Sequence, residues 1–204
     1  MRARRKKHGK ERLLAISEYF INKPEINRDK KTYVEIGCGK GKFIIENAEK
    51  NPDIDFIAIE KVSDIILLAG EKAKEKNLKN VKFIICDAKG LTEIFDKNSI
   101  DRIYLNFSDP WPKAGHYKRR LTYKAFLDIY RYILKEDGAI FFKTDNAGLF
   151  EFSIEQFTED NWNLKNITYD LHNSEFANDN IMTEYEKNFS EKGYNIHRLE
   201  AYLK

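Results

Sequence analysis

The sequence predicts an α/β protein built on a doubly wound, mostly parallel sheet. Three observations carry that prediction. Strand-like and helix-like segments alternate from residue 32 onward, a glycine cluster closes the first strand, and acidic residues stand just past the strands that follow. The chain has 204 residues, the size of one domain.

Each element has a local reason. Residues 32–36 are a short β-rich run ended by glycines, and residues 42–50 read as a helix stopped by Asn51-Pro52. Residues 54–60 form the second strand. Ser63 is the expected N-cap of a helix reaching about Lys76, with the apolar stretch 65–69 facing a core. Residues 81–86 are the third strand, with Asp87 just beyond; 100–107 are the fourth and 139–143 the fifth. Before the fifth, Leu121, Phe126, Ile129 and Ile133 recur at helical spacing, while Lys124, Asp128 and Arg131 take the wet side. Past residue 150 the pattern weakens. Residues 194–203 are a candidate last strand there, and Trp162 reads as core. The expected division is a basic arm and lead-in helix over 1–30 and a single globular domain over 31–204.

Hydrophobic residues make up 42% of the chain and charged residues 34%, which suits a soluble globular protein. No run nears the roughly 18 apolar residues of a membrane span. The basic start lacks the apolar segment of a secretory signal. Two cysteines, Cys38 and Cys86, make no disulfide framework, so a reducing cytoplasm is expected; neither they nor the histidines suggest a metal site. The charge is unevenly spread. Arg2, Arg4, Arg5, Lys6, Lys7, Lys10 and Arg12 against Glu11 give the first twelve residues +6 in a chain of net +3, leaving −3 for the rest. A basic arm on a mildly acidic body fits phosphate contact or, equally, a solubilising tail.

The stretch Glu35-Ile36-Gly37-Cys38-Gly39-Lys40-Gly41 joins the first strand to the first helix. Glycines there let a ligand approach the backbone, where a Cβ would collide. Glu60 ends the next strand nineteen residues after Gly41, placed to accept both ribose hydroxyl hydrogens of an adenosine. Pyrophosphate binders space their glycines G-x-G-x-x-G, whereas these read G-x-G-x-G. Glu35 beside them disfavours a pyrophosphate and suits the ammonium and sulfonium of S-adenosylmethionine. Asp87 is placed to accept from the adenine amino group. The alternative of turn glycines and solvated acids explains each feature singly but not their joint placement.

Asn106-Phe107-Ser108-Asp109-Pro110-Trp111-Pro112-Lys113 follows the fourth strand. Two prolines around a tryptophan stiffen the loop, and methyl transfer depends on alignment. Asp109 sits at its tip. Lys113, His116, Lys118, Arg119, Arg120 and Lys124 follow, with Trp111 and Tyr117 among them, a pattern that suits phosphates and bases. Positive charge near a helix start opposes the helix dipole, which favours an anionic partner over a bare solvated turn.

The run Asp109-Pro110-Trp111-Pro112-Lys113 with Arg119-Arg120-Leu121 resembles the signature of the tRNA (guanine-N7-)-methyltransferase family. The glycine loop, Lys143-Thr144-Asp145 and Thr183-Glu184-Tyr185-Glu186 match it too, so the resemblance runs essentially the whole chain. It implies a Rossmann-like fold of the class I methyltransferase type, with Glu35, Glu60, Asp87 and Asp109 around S-adenosylmethionine beside Gly37, Gly39 and Gly41. It implies that Lys113, Asp145, Thr183, Tyr185 and Glu186 contact the tRNA substrate, and that the target is the variable-loop guanine, position 46. The basic loop and the arm residues Arg2, Arg4 and Arg5 are then expected to touch RNA. Where the family usually has further basic residues after Lys113, this chain has Ala114 and Gly115. Read without the resemblance, Thr183-x-x-Glu186 is a helix capping box and Asp145 a plain helix N-cap; a capped helix start can also present Tyr185 and Glu186 to a base.

N7 of guanine holds a lone pair and no proton, so no general base is expected. Asp109 is the expected catalytic residue, through positioning and charge. Two alternatives stay open. One is an adenine or cytosine amino-methyltransferase, whose Asp/Asn-Pro-Pro-aromatic motif the Asp109 loop loosely resembles. The other is a noncatalytic RNA-binding protein with a retained cofactor pocket. Monomer and homodimer are both compatible with the sequence.

Overall fold

Residues 9–204 are described by the computed structural model; the arm residues Arg2, Arg4 and Arg5 lie outside them. Seven strands form one sheet in the order β3-β2-β1-β4-β5-β7-β6. β1 (Lys31–Ile36), β2 (Ile54–Glu60), β3 (Val81–Ile85), β4 (Ile100–Asn106) and β5 (Leu134–Thr144) are parallel. β7 (His197–Tyr202) runs antiparallel between β5 and β6 (Asn163–Thr168). The chain winds outward from β1 to β3, then crosses back to β4. That reversal leaves a crevice at the carboxyl ends of β1 and β4, where ligands of such sheets bind.

Alternation along the strands makes two cores. Tyr33, Phe56, Ala58, Val81 and Phe83 face one side, under α2 (Lys42–Lys50) and α3 (Ser63–Glu75). Val34, Ile57, Ile59, Ile103, Ile140 and Phe142 face the other, beneath α5 (Lys124–Ile133) and α6 (Ala147–Glu159). Two short helices complete the set within the domain, α4 (Leu91–Ile94) and α7 (Glu184–Ser190), and α1 (Gly9–Leu14) lies in the lead-in. The lead-in is docked on the first side. Ile16 and Tyr19 are buried, Arg12 donates to both oxygens of Glu71 on α3 at 2.7 Å, and Ile21 donates its N–H to the Phe83 carbonyl.

Several boundaries differ from expectation. Ser63 is the first residue of α3 and not its cap; Val62 precedes it, its N–H satisfied by Glu60 Oε1. Asn146, and not Asp145, caps α6, its Oδ1 accepting from the Leu149 N–H at 2.8 Å. Leu121 lies before α5. β5 starts at Leu134, because the polar Lys135-Glu136-Asp137 stretch continues extended where its side chains are solvated. β6 escapes a pattern search for the same reason: it is an edge strand with a mostly exposed, polar sequence. Trp162 is buried, as expected.

Gly41 shows what the glycine loop requires. Its φ is +78°, and a Cβ there would lie 2.4 Å from the Ala69 Cβ on α3. Left-handed backbone costs an L-residue about 1–2 kcal/mol and overpacking about 1–3. Gly41→Ala is therefore expected to destabilise by roughly 2–5 kcal/mol in denaturant unfolding; a change below 0.5 kcal/mol would contradict this packing.

Candidate active site

Gly37, Gly39 and Gly41 all have positive φ, +82°, +55° and +78°. The turn is held because the N–H groups of Gly37 and Cys38 both donate to the Ile59 carbonyl on β2. Beside it opens a cleft of ≈ 680 Å³ whose walls include Gly37, Glu60, Asp87, Asp109 and Trp111. The carboxylates come from three different strand ends. Glu60 spends one oxygen on the Val62 N–H, and Asp87 spends one on the Lys89 N–H, capping the short turn 88–90. Neither second oxygen accepts a hydrogen bond from another of the described residues. Asp109 is exposed.

A second cleft of ≈ 340 Å³ shares Gly37, Asn106 and Phe107 with the first. It runs along the glycine loop, over Glu35, to Thr183 and Tyr185. Glu35 is 2% exposed and accepts from Asn106 Nδ2 at 2.9 Å. Burial pushes its carboxyl up to about 7, against the opposing pull of the Asn106 hydrogen bond and the Lys143 charge. Its Oε2, Asn106 Oδ1 and Ser108 Oγ are buried with no partner among the described residues. These orphaned acceptors at the junction of the two clefts fit a polar, cationic ligand, and S-adenosylmethionine carries the required ammonium and sulfonium.

Glu35 also supports a stability test. Between the ordinary 4.5 and about 7 the folded protein holds a proton that the unfolded chain has released. Stability is therefore lost as pH rises through that window. At about 1.4 kcal/mol per unit, the ligand-free protein gives up roughly 3 kcal/mol by pH 8. Glu35→Gln is expected to recover most of it at pH 8 and little at pH 4.5 in thermal unfolding. Equal effects at both pH values would refute the shift.

The proline-tryptophan loop is braced from below. Arg120 donates from Nε to the Pro110 carbonyl (2.9 Å) and from Nη2 to that of Trp111 (3.3 Å). Arg119 lies over the Trp111 ring at 4.9 Å and His116 meets its edge at 5.8 Å. Phe107 and Trp111 hold positive φ, +52° and +43°, so the loop stores backbone strain that this bracing maintains. Of the basic run, Lys113 and Lys118 stand exposed, whereas Arg120 is spent on the loop's own carbonyls.

Thr183 and Glu186 make the capping box of α7, with Glu186 N–H donating to Thr183 Oγ1 at 2.9 Å. Glu186 is fully buried, and its carboxylate also accepts from Lys143, His172 and Asn180. Tyr185 is exposed; its hydroxyl donates to Asp145 Oδ2 at 3.3 Å and its ring lies against Phe107 and Phe189. Tyr185 thus links Asp145 to Phe107, and Tyr185 and Phe107 both line the second cleft. The sequence reading gave no role to two residues that line both clefts, nor to the lysine that holds Glu186. Asn106 and Phe107 lay inside a quoted motif without a role, and Lys143 was passed over for Asp145. A lysine ending a buried strand was the available signal.

A family model described as "Putative methyltransferase" matches residues 29–199. The chain is 51% identical over 179 residues to a tRNA (guanine-N(7)-)-methyltransferase of Brevibacillus brevis, covering 88% of this chain and 84% of that one. It is 48% identical over 210 residues to the protein of the same description from Bacillus cytotoxicus, covering 98% and 96%. Among solved structures, the 16S rRNA methyltransferase KamB superposes with a TM-score of 0.66 at 13% identity, over 89% of this chain and 95% of that one, a likeness of fold.

Proposed function

The chain belongs to the tRNA (guanine-N(7)-)-methyltransferase family, and from that membership we propose that it methylates N7 of a guanine in tRNA, at the variable-loop guanine. The observation that carries the reading is the pair of joined clefts, one lined by the carboxylates of Glu60, Asp87 and Asp109 and the other by Glu35 and Asn106, each with a buried oxygen that has no partner among the described residues. S-adenosylmethionine supplies an electrophilic methyl: the N7 lone pair forms the new N–C bond as the C–S bond breaks, leaving a neutral thioether and a cationic base.

In this reading Glu60 and Asp87 hold the ribose and adenine of the cofactor and Glu35 its amino-acid end. Asp109, exposed on the braced loop where it lines the larger cleft, complements the positive charge that the base acquires. No side chain is assigned to abstract a proton, because N7 carries none. Asp145 and Tyr185 offer acceptors at the mouth, suited to guanine's N1–H and amino group and unsuited to adenine's N1. Lys113, His116 and Lys118, with the arm, take phosphates.

The test is methyl transfer from labelled S-adenosylmethionine to unmodified tRNA, followed by nucleoside analysis. Label in 7-methylguanosine is expected. The fixed charge of that base labilises the strand to reduction and aniline, so the cut maps the nucleotide. Label in N6-methyladenosine would instead favour the amino-methyltransferase reading. Cofactor binding without transfer to any tRNA would favour a noncatalytic binder.

A further inference from the structure

A third cavity, of ≈ 430 Å³, lies over β4, β5 and β7 and shares Phe43 and Asn106 with the glycine-loop cleft. The strand register builds its floor. Arg102, Ala139 and Tyr202 stand in one row, and Tyr104, Phe141 and Glu200 in the next. Opposed residues of paired strands share a face, so the methyl group of Ala139 leaves a hollow between two long side chains. α2 gives one wall through Phe43 and Asn47, and residues of the 176–181 stretch give another. The volume lies within the range of about 300–1,000 Å³ usual for small-molecule sites.

Three cations line this cavity, and two of them are answered. Lys143 meets Glu186 at 2.7 Å, and Arg198 pairs with Glu200. Arg102 has no carboxylate within ion-pair distance among the described residues. Glu200 acts on it only from farther off, its oxygens accepting from Arg198, Asn166 and Tyr202. The Arg102 guanidinium lies over the Phe141 ring at 4.0 Å and the Tyr33 ring at 4.4 Å, and Nη1 donates to the Tyr104 hydroxyl at 3.1 Å. Most of its five donors are then without an acceptor among the described residues. Arg198 lies over the same Phe141 ring at 5.6 Å, so two guanidinium groups share one aromatic ring. Like charges so placed repel, and a bound anion relieves the repulsion.

An anion with a flat body fits best. Guanidinium donors suit phosphate oxygens, while aromatic rings and guanidinium planes suit a base. We propose that this cavity is a second ligand site, which binds a nucleotide with its phosphate on Arg102 and its base on the rings around Phe141. Asp179 lines the cavity too, but it is exposed, so water screens its opposition to an anion. The inference goes beyond the proposed function and does not rest on transfer to N7.

Calorimetric titration of the intact protein tests it with uridine 5′-monophosphate, uridine and inorganic phosphate. A pyrimidine keeps the probe off the guanine site proposed above. The nucleotide is expected to bind more tightly than either of its parts, since it alone engages both halves of the cavity. Arg102→Gln should weaken it about 10- to 100-fold, the loss typical of hydrogen bonds to a charged group. Asp179→Asn should tighten it about 2- to 5-fold, and a change at so exposed a position spares the fold. Opposite shifts in the two variants are not what disturbed packing produces. Displacement of the nucleotide by tRNA would identify the occupant as a nucleotide of the RNA chain; retention with tRNA bound would identify it as a free nucleotide, and either result supports the site. Equal binding by the natural and Arg102→Gln proteins would overturn the proposal, as would an Asp179→Asn protein that binds no more tightly. Inorganic phosphate binding as tightly as the nucleotide would overturn it as well, leaving a bare anion site.

Discussion

Asp109→Ala is expected to lower single-turnover methyl transfer by about 10²–10³-fold, the range seen when one preorganised electrostatic group is removed from a reacting centre. The protein should lose almost no stability. Asp109 is exposed at the tip of its loop, and the loop is held by Arg120 on the Pro110 and Trp111 carbonyls and by Arg119 on the Trp111 ring. Truncation therefore leaves the scaffold in place, and surface changes of this kind stay within about 0.5 kcal/mol. Asp109→Asn separates two roles. If charge opposite the forming cation matters, the amide should do nearly as badly as alanine; if an acceptor suffices, it should recover much of the rate. Rates are to be taken with cofactor and tRNA both saturating, alongside thermal unfolding. Near-normal turnover in the alanine variant would remove Asp109 from the chemistry.

The parts of this site that were readable in the sequence are those set by short covalent spacing. Gly37, Gly39 and Gly41 stand where the chain turns from β1 into α2, and their positive φ angles are a local demand that only glycine meets without strain. Glu60 and Asp87 follow at the ends of β2 and β3, so finding those strands places the acids. Arg120, read as RNA-contacting, has two of its donors on the carbonyls of its own loop, and the sequence holds no sign of that. A basic run looks the same in sequence whether it points at phosphates or at backbone carbonyls, and only the folded loop decides. The box Thr183-x-x-Glu186 was legible as a cap, yet it said nothing of Lys143, whose contact with Glu186 joins residues 43 apart in the chain. β6 went unseen because strand recognition rests on alternating burial, and an edge strand with solvated side chains has little of it.

That long-range contact carries the second large effect. Lys143→Met is expected to cost about 3–5 kcal/mol in urea unfolding, because it strands a buried carboxylate. Lys143 and Glu186 side chains are 8% and 0% exposed and meet at 2.7 Å. Burial alone would push the Glu186 carboxyl up; Lys143, with the hydrogen bonds of His172 and Asn180, more than offsets it and holds the group below its ordinary value. Without the lysine, burial has one opponent fewer, and the charge must be abandoned or solvated by opening the structure. The double change Lys143→Met with Glu186→Leu should recover much of the loss, since a buried ion pair replaced on both sides by apolar groups is often near neutral. The single change should also loosen the start of α7, which Glu186 ties to β5 and which presents Tyr185 to Asp145. The KM for tRNA is then expected to rise in the double variant even where stability returns, because the capping carboxylate is gone. A Lys143→Met protein within 1 kcal/mol of the natural chain would mean that the pair is not both dry and ionised, and the coupling between β5 and α7 would have to come from packing alone.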